Sequence, residues 1–348
     1  MQPNIWHHLS AMGGKGSFGG VSVAWGVGTD VGLKRAVNED ASIAQPPVFV
    51  VADGMGGHEA GDVASALAIE RFCELSEAQE LTSDRVAELI RSVNEEIFLA
   101  GRAAPDGRSM GTTAVGLVLV PNGPMPFWLV FNIGDSRVYR SFGGVLELLS
   151  QDHSYVQELV AAGHLDASAA RTHPQRNVVT RALGVERAVQ ADLWMRAPEP
   201  GERFLLCSDG LSSEIGDDEI GRHLGRPEDP DAVASSLVAA ALDAGGRDNV
   251  TVLVLDVIEV DGAVDQITAP RDRAVLHAPA EPGVQVPEAS ERVESDGEAA
   301  LVAVPGADVV RPRAPATEAA EMIAGVPAEW VGGSTDDSAA ATEGELDD

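Results

Sequence analysis

Apolar and polar positions along this chain follow two different periods, and the two alternate in blocks. Val48-Phe49-Val50-Val51 is a continuous β-branched and aromatic run, and Phe204-Leu205-Leu206-Cys207 is a second apolar run of the same length. Both read as buried strands. Val21-Ser22-Val23-Ala24-Trp25 alternates with a period of two. Helical spacing governs residues 61–75, where Val63, Leu67, Ala68 and Phe72 share a face, and residues 83–100, where Val86, Leu89, Ile90, Val93 and Ile97 do. Ser83 has no Glu or Gln three positions on to close a capping box, so the start of that second helix is soft. A strand-rich middle follows, over 112–120, 127–132 and 137–141, with Gly143-Gly144 as a hairpin signal. Helical runs are expected at 152–163, 217–224 and 231–243, later strands at 203–207 and 250–257, and an irregular polar stretch at 164–177. Strands come in pairs and helices in blocks, without strict β-α-β repetition. The pattern therefore predicts an α+β fold of two packed antiparallel sheets flanked by helices.

Beyond about residue 260 no period persists. Residues 261–348 are rich in Ala, Pro and Gly and hold 19 acidic against five basic residues, the composition of a disordered acidic tail. Residues 1–20 are Gly-rich and read as a flexible lead-in, leaving 21–259 as the folded domain and 260–348 as the tail. Within the lead-in, Gly14-Lys15-Gly16-Ser17-Phe18-Gly19 matches a dinucleotide-binding spacing. It follows no strand and opens no helix, so that chemistry is set aside. Met12-Gly13 to Ser17 fits a myristoylation pattern that acts only if translation begins at Met12 rather than Met1.

The net charge of −31 argues against non-specific nucleic-acid binding and against an anionic membrane surface. No apolar run approaches the ~20 residues of a membrane span, and no secretory signal is evident. The two cysteines, Cys73 and Cys207, suggest neither a disulfide framework nor a zinc site, which fits a reducing, cytoplasmic setting; a monomer is expected. Neither has an arginine about six positions further on, which sets aside a cysteine-nucleophile phosphatase; Gln79 and Ser213 stand there.

The candidate chemistry lies in aspartates beside predicted strands: Arg35-x-x-Asn38-Glu39-Asp40, Ala52-Asp53-Gly54-Met55-Gly56-Gly57, Ile133-Gly134-Asp135-Ser136-Arg137, Cys207-Ser208-Asp209-Gly210 and Arg247-Asp248-Asn249-Val250-Thr251. A strand end is rigid and delivers its next side chain to one edge of a sheet. Carboxylates gathered at one edge repel each other unless a cation sits among them. Carboxylate oxygens select hard ions such as Mg²⁺ or Mn²⁺, and a pair of such ions activates water against a phosphoryl group.

These segments, with Gly28-Thr29-Asp30-Val31-Gly32, Gly111-Thr112-Thr113, Asp152-His153-Ser154 and Thr180-Arg181-Ala182-Leu183-Gly184, occur in the order found in a known family. From about Gly26 to Leu255 the chain resembles the PPM family of metal-dependent type 2C protein serine/threonine phosphatases, its bacterial members in particular. The resemblance implies a four-layer α/β/β/α sandwich. It also implies hydrolysis of phosphoserine and phosphothreonine in proteins by a water bridging two Mn²⁺ or Mg²⁺ ions, in opposition to Ser/Thr kinases, with kinases and their substrates as partners.

Residue by residue, the resemblance makes Asp53 the carboxylate bridging the two metals, Gly54 a backbone-carbonyl ligand, and Asp209 and Asp248 ligands of the second metal. Asp40, with Glu39, falls in the shell holding metal-bound water, and Asp135 at a third, weaker metal. For Asp135 a plain turn after the strand is the alternative. Arg35 matches the arginine that grips the substrate phosphate, and a surface pairing with Glu39 or Asp40 is the alternative. Animal members carry a proton-donating histidine where this chain has Met55, which leaves the general acid unassigned. His58 and His153 are the nearest candidates in sequence.

Overall fold

The computed structural model describes residues 13–56, 60–78, 80–103, 109–123 and 125–261. Its first part comprises β1 (Gly14–Phe18), β2 (Val21–Asp30), β3 (Asp40–Gln45), β4 (Val48–Gly56), α1 (Ala60–Ser76) and α2 (Ser83–Ala103). Then follow β5 (Met110–Thr112), β6 (Ala114–Asn122), β7 (Met125–Ile133), β8 (Arg137–Phe142), β9 (Val145–Leu148), α3 (Tyr155–Ala161) and α4 (Ala167–Ala170). The last part is β10 (Asp192–Arg196), β11 (Arg203–Cys207), α5 (Asp209–Ser212), α6 (Asp217–Leu224), α7 (Pro230–Ala244) and β12 (Val250–Val260). One sheet has the order β1-β2-β12-β11-β8-β9 and the other β10-β7-β6-β4-β3, with β5 joined to the end of β4. The pairings within both sheets are antiparallel.

The central strands explain the layers. Along β4, Phe49 and Val51 point between the sheets, where they meet Val23, Trp128, Phe204 and Leu253. Val48, Val50 and Ala52 point the other way, into a core closed by Phe72 of α1 and Ile90 and Val93 of α2. In β12, Leu253 and Leu255 face inward, while Val252 and Val254 pack outward with Ile220 of α6 and Leu237 of α7. A strand held between two apolar layers has no polar face, so it reads as an unbroken run although its side chains still alternate. The result is the expected four-layer sandwich, helices outside and two sheets within. The few aromatics gather at its centre. Trp25–Phe49, Phe49–Trp128 and Trp128–Phe204 meet edge to face at 5.8, 6.2 and 6.0 Å. Such pairs add about 0.5–1.5 kcal/mol each beyond simple burial.

Several expectations shift. Gly14–Phe18, part of the expected lead-in, pairs as β1 with β2, because Trp25 lays its ring across Gly14 and Gly16. The strand expected over 112–120 is two, β5 and β6, parted at Thr113, whose backbone turns to bond Asp53. The helix expected at 152–163 is the shorter α3, started by Ser154, whose hydroxyl accepts the Gln157 N–H at 3.4 Å. Strand β10 and the single turn α5 carry too little periodicity to be legible. Residues 1–12 and the acidic tail from 262 lie outside the described residues. Among the described residues no helix is long and apolar enough to cross a membrane.

The antiparallel registers place many strand termini at one end of the sandwich. Asp40 of β3 lies opposite Asp53 of β4, Ala114 of β6 opposite Ile133 of β7, and Val250 of β12 opposite Asp30 of β2. Cys207 of β11 lies between Arg137 of β8 and Val252 of β12. Asp135, Asp209 and Asp248 therefore stand in connections at the same end as Asp40 and Asp53.

Candidate active site

Asp53 is the hinge of the site. Its N–H donates to Thr113 Oγ1 at 3.0 Å, and its carbonyl accepts from the Thr113 N–H and the Thr112 hydroxyl, both at 2.9 Å. Thr113 Oγ1 lies 2.7 Å from Ser136 Oγ, which ties Asp53 to the turn that carries Asp135. Gly54 follows where β4 is squeezed between β3 and α1. A Cβ there would fall 2.1 Å from the Gly61 carbonyl oxygen and 2.5 Å from that of Glu39, so only glycine fits.

Asp40 is 2 % exposed. Ser208 donates its hydroxyl to Asp40 Oδ2 at 2.8 Å and accepts the Thr251 N–H at 2.9 Å, which ties β3, β11 and β12 together. Asp40 Oδ1 is buried with no hydrogen-bond partner. An unsatisfied buried carboxylate oxygen is costly, and it marks a place where water or a cation belongs.

Asp248 is oriented by its neighbour Asn249. The Asn249 amide holds the carbonyls of Val31 and Val37 at 3.0 and 2.9 Å, and its Oδ1 accepts the Glu39 N–H at 2.8 Å. The Arg35 loop is thereby fastened to the start of β12. Arg35 Nη2 donates to Asp248 Oδ2 at 2.7 Å, and its side chain is 48 % exposed. Its partner is thus Asp248 and neither Glu39 nor Asp40.

The electrostatics show that these acids are crowded. Burial, more than any single neighbour, pushes Asp40 up to about 7, Asp209 to about 6 and Asp135 to about 8. Asp53 rises well above the carboxylate range for the same reason, and Asp40, Asp209, Asp135 and Asp248 all add to its shift. Asp209 and Asp53 are close enough to share a hydrogen bond. All these donors are oxygens, which suits Mg²⁺ or Mn²⁺. Among the described residues no three His, Cys, Asp or Glu side chains enclose one ion by themselves. An ion here would need its coordination completed by other oxygens, such as backbone carbonyls and water, as Mg²⁺ commonly does.

Of the two histidines considered as acids, His153 is 7 % exposed and engaged at both ring nitrogens. Its ring nitrogens contact Gly134, Arg181 and Asp192, and none of the site acids. His58 lies outside the described residues. Met55 is half-buried and pairs with Gly111 of β5. Sequence reasoning passed over the supporting residues Thr113, Ser136, Ser208 and Asn249. Ser136, Ser208 and Asn249 each adjoin a site acid, and small polar residues there are the one signal that could have pointed to them; Thr113 lies far from every site acid in the sequence and carried no such signal.

The chain is similar to known proteins in sequence and in fold. The family profile described as protein phosphatase 2C matches residues 33–244. The serine/threonine protein phosphatase PstP of Mycobacterium tuberculosis is 40% identical over 262 residues, 71% of this chain and 50% of that protein. This chain thus spans about half the length of that curated relative. The serine/threonine phosphatase stp of Listeria monocytogenes is 36% identical over 240 residues, 66% of this chain and 93% of that protein. Among solved structures, the catalytic domain of PstP in complex with two manganese ions superposes with a TM-score of 0.62 at 36% identity, over 69% of this chain and 99% of that domain.

Proposed function

The chain belongs to the protein phosphatase 2C family, and we propose that it hydrolyses phosphoserine and phosphothreonine in proteins with two Mn²⁺ or Mg²⁺ ions, opposing Ser/Thr kinases. The observation that carries this reading is the crowd of buried acids, Asp40, Asp53, Asp135 and Asp209, each holding its proton more tightly than usual. Such a cluster is stable in its ionised form only around cations. Beside it stands Arg35, an exposed guanidinium in a strongly acidic chain.

In this reading Asp53, the Gly54 carbonyl, Asp209 and Asp248 would hold the ions, while Asp40 would order water in the site and Asp135 would serve a weaker third ion. When bound, the ions supply neutralisation of the phosphoryl oxygens and a water of lowered pKa for in-line attack. Arg35 binds the incoming phosphate with the free edge of its guanidinium while Asp248 fixes the other edge. Ser208 keeps Asp40 turned toward the site. Thr112 and Thr113 hold the Asp53 backbone so that its short side chain cannot swing away. Met55 offers no proton, so the leaving oxygen takes its proton from water or from a more distant group. Kinases and their phosphorylated substrates are the partners this chemistry fits.

The test is hydrolysis of a phosphothreonine peptide by the full chain. Turnover should require added Mn²⁺ or Mg²⁺ and vanish with a chelator, because oxygen-only sites of this kind hold these ions weakly. Full turnover in excess chelator would end the reading.

A further inference from the structure

Asp135 owes its position to a three-residue connection between β7 and β8, and that connection is under constraint. Gly134 has φ +108°, and a Cβ on it would lie 2.5 Å from Thr113 Cγ2. The Gly134 N–H is buried and has a single partner, His153 Nδ1, at 3.0 Å. In return the His153 N–H donates to the Gly134 carbonyl at 2.9 Å, and Asn132 Nδ2 donates to the same oxygen at 3.2 Å. One histidine thus grips both polar groups of the residue directly before Asp135.

The far side of the ring decides its protonation pattern. His153 Nε2 lies 3.4 Å from Asp192 Oδ2 and 2.8 Å from Arg181 Nη1. A neutral imidazole has one donor and one acceptor nitrogen. Arg181 has other acceptors, Asp192 Oδ1 at 3.0 Å and the Gln190 carbonyl at 3.1 Å. The buried Gly134 N–H has none, and a buried amide left unpaired costs about 1–3 kcal/mol. The accounting therefore gives Nδ1 to Gly134 as the acceptor and leaves the ring hydrogen on Nε2, directed at Asp192, so that the contact with the Arg181 guanidinium, which can only donate, is not a hydrogen bond.

We propose that His153 is a positioning residue, held as the Nε2–H tautomer, that fixes the Gly134–Asp135 turn and so aims the Asp135 carboxylate at the metal cluster. Only the functional consequence rests on the reading of Asp135 as a ligand of the weaker ion. The structural claim stands on the Gly134 hydrogen bonds. Metal ligands are commonly oriented by neighbours of this kind, and losing one costs about 10–100-fold in affinity.

Three substitutions separate the roles. The Oδ1 of Asn can occupy the position of Nδ1, the amide of Gln that of Nε2, and Ala neither. In the ¹⁵N-histidine-labelled full chain, His153 is assigned by the signals that disappear in His153→Asn. Those signals should show the Nε2–H pattern, and an Nδ1–H pattern overturns the proposal. Hydrogen exchange at the Gly134 amide should be slow in the unaltered protein and in His153→Asn, and at least tenfold faster in His153→Gln and His153→Ala. Unchanged exchange in both of the latter overturns it.

Mn²⁺ binding is then counted directly from the electron-spin resonance of the free ion. His153→Ala should weaken, by tenfold or more, the class of sites that Asp135→Asn removes, and leave untouched the class that Asp248→Asn removes. His153→Asn should restore it. If His153→Ala spares the class lost in Asp135→Asn, the positioning role is refuted. If Asp135→Asn removes no class at all, the third-ion reading fails, while tautomer and exchange still decide the role of His153.

Discussion

Strand β4 passes through two regions built on opposite principles. From Val48 to Ala52 every side chain is 0% exposed and packs within an apolar core. One residue later the chain enters a cluster of acids that resist ionisation and include a carboxylate oxygen with no partner. The first region gains free energy from every atom it buries. The second costs free energy to assemble, and the first supplies the rigidity that keeps it assembled. Stability and chemistry thus divide along single strands: Phe204 and Leu206 of β11 belong to the core, and Asp209 follows just past its end.

The sharpest way to break this contrast is a pair of substitutions on that one strand. Asp209→Asn should cut turnover on a phosphothreonine peptide by orders of magnitude, about 10²-fold or more, while its thermal transition stays cooperative and does not fall. Phe204→Ala should do the reverse. It should cost about 3–5 kcal/mol of stability and leave the turnover of the molecules still folded close to normal. If Phe204→Ala abolished turnover in a fully folded protein, or Asp209→Asn unfolded the chain, the two regions would not be separable.

A second contrast appears with pH. Asp209, Asp40 and Asp135 titrate at about 6, 7 and 8 in the folded protein, raised by burial and then by neighbouring acids. In the unfolded chain an aspartate titrates at about 3.9. Between these values the folded state binds more protons, so the stability these groups contribute is present at low pH and is lost as pH rises through about 6 to 8. Metal-free protein should therefore lose thermal stability from about pH 5 to about pH 8, and Asp135→Asn should flatten the slope. Saturating Mn²⁺ should reverse the trend, since it binds the ionised form. A metal-free melting temperature that climbs across this range would show that the acids are not crowded as described.

Arg35→Ala should have a smaller and more selective effect. It removes the proposed phosphate contact and the partner of Asp248, so KM for phosphopeptides should rise by about tenfold with kcat changed less. Mn²⁺ affinity should move little. A large change in metal dependence with KM intact would make Arg35 a support for Asp248.

The smallest effect concerns Met55. Turnover should fall as the leaving-group pKa rises along a series of phosphate esters, and Met55→His should make that dependence shallower by supplying a donor. Equal slopes for the two proteins would mean that protonation is already met by another group.

The alternation of periods and the aspartates beside strand ends were legible without coordinates, because both depend on local rules. A side chain in a strand alternates faces wherever the strand lies, and an acid after an apolar run must emerge at a sheet edge. Packed antiparallel sheets with helices outside followed from the grouping of strands and helices, and the four-layer sandwich from the family resemblance. The site acids Asp40, Asp53, Asp135, Asp209 and Asp248 were found from segments that each look like an ordinary turn and gain meaning only together.

What the sequence could not supply was every relation between residues far apart along the chain. Gly14–Phe18 forms a strand because Trp25 covers it. Arg35 is held by Asp248, 213 positions away, instead of by the acids beside it. His153, a possible acid by its place in the sequence, is a buried clamp on Gly134. These outcomes depend on which surfaces meet when two sheets pack, and local propensity carries no information about that meeting. The sequence determined by itself which side chains could do chemistry and which runs had to be buried. The tertiary structure alone decided which carboxylates share one low-dielectric space, and so which of them hold their protons until a cation replaces them.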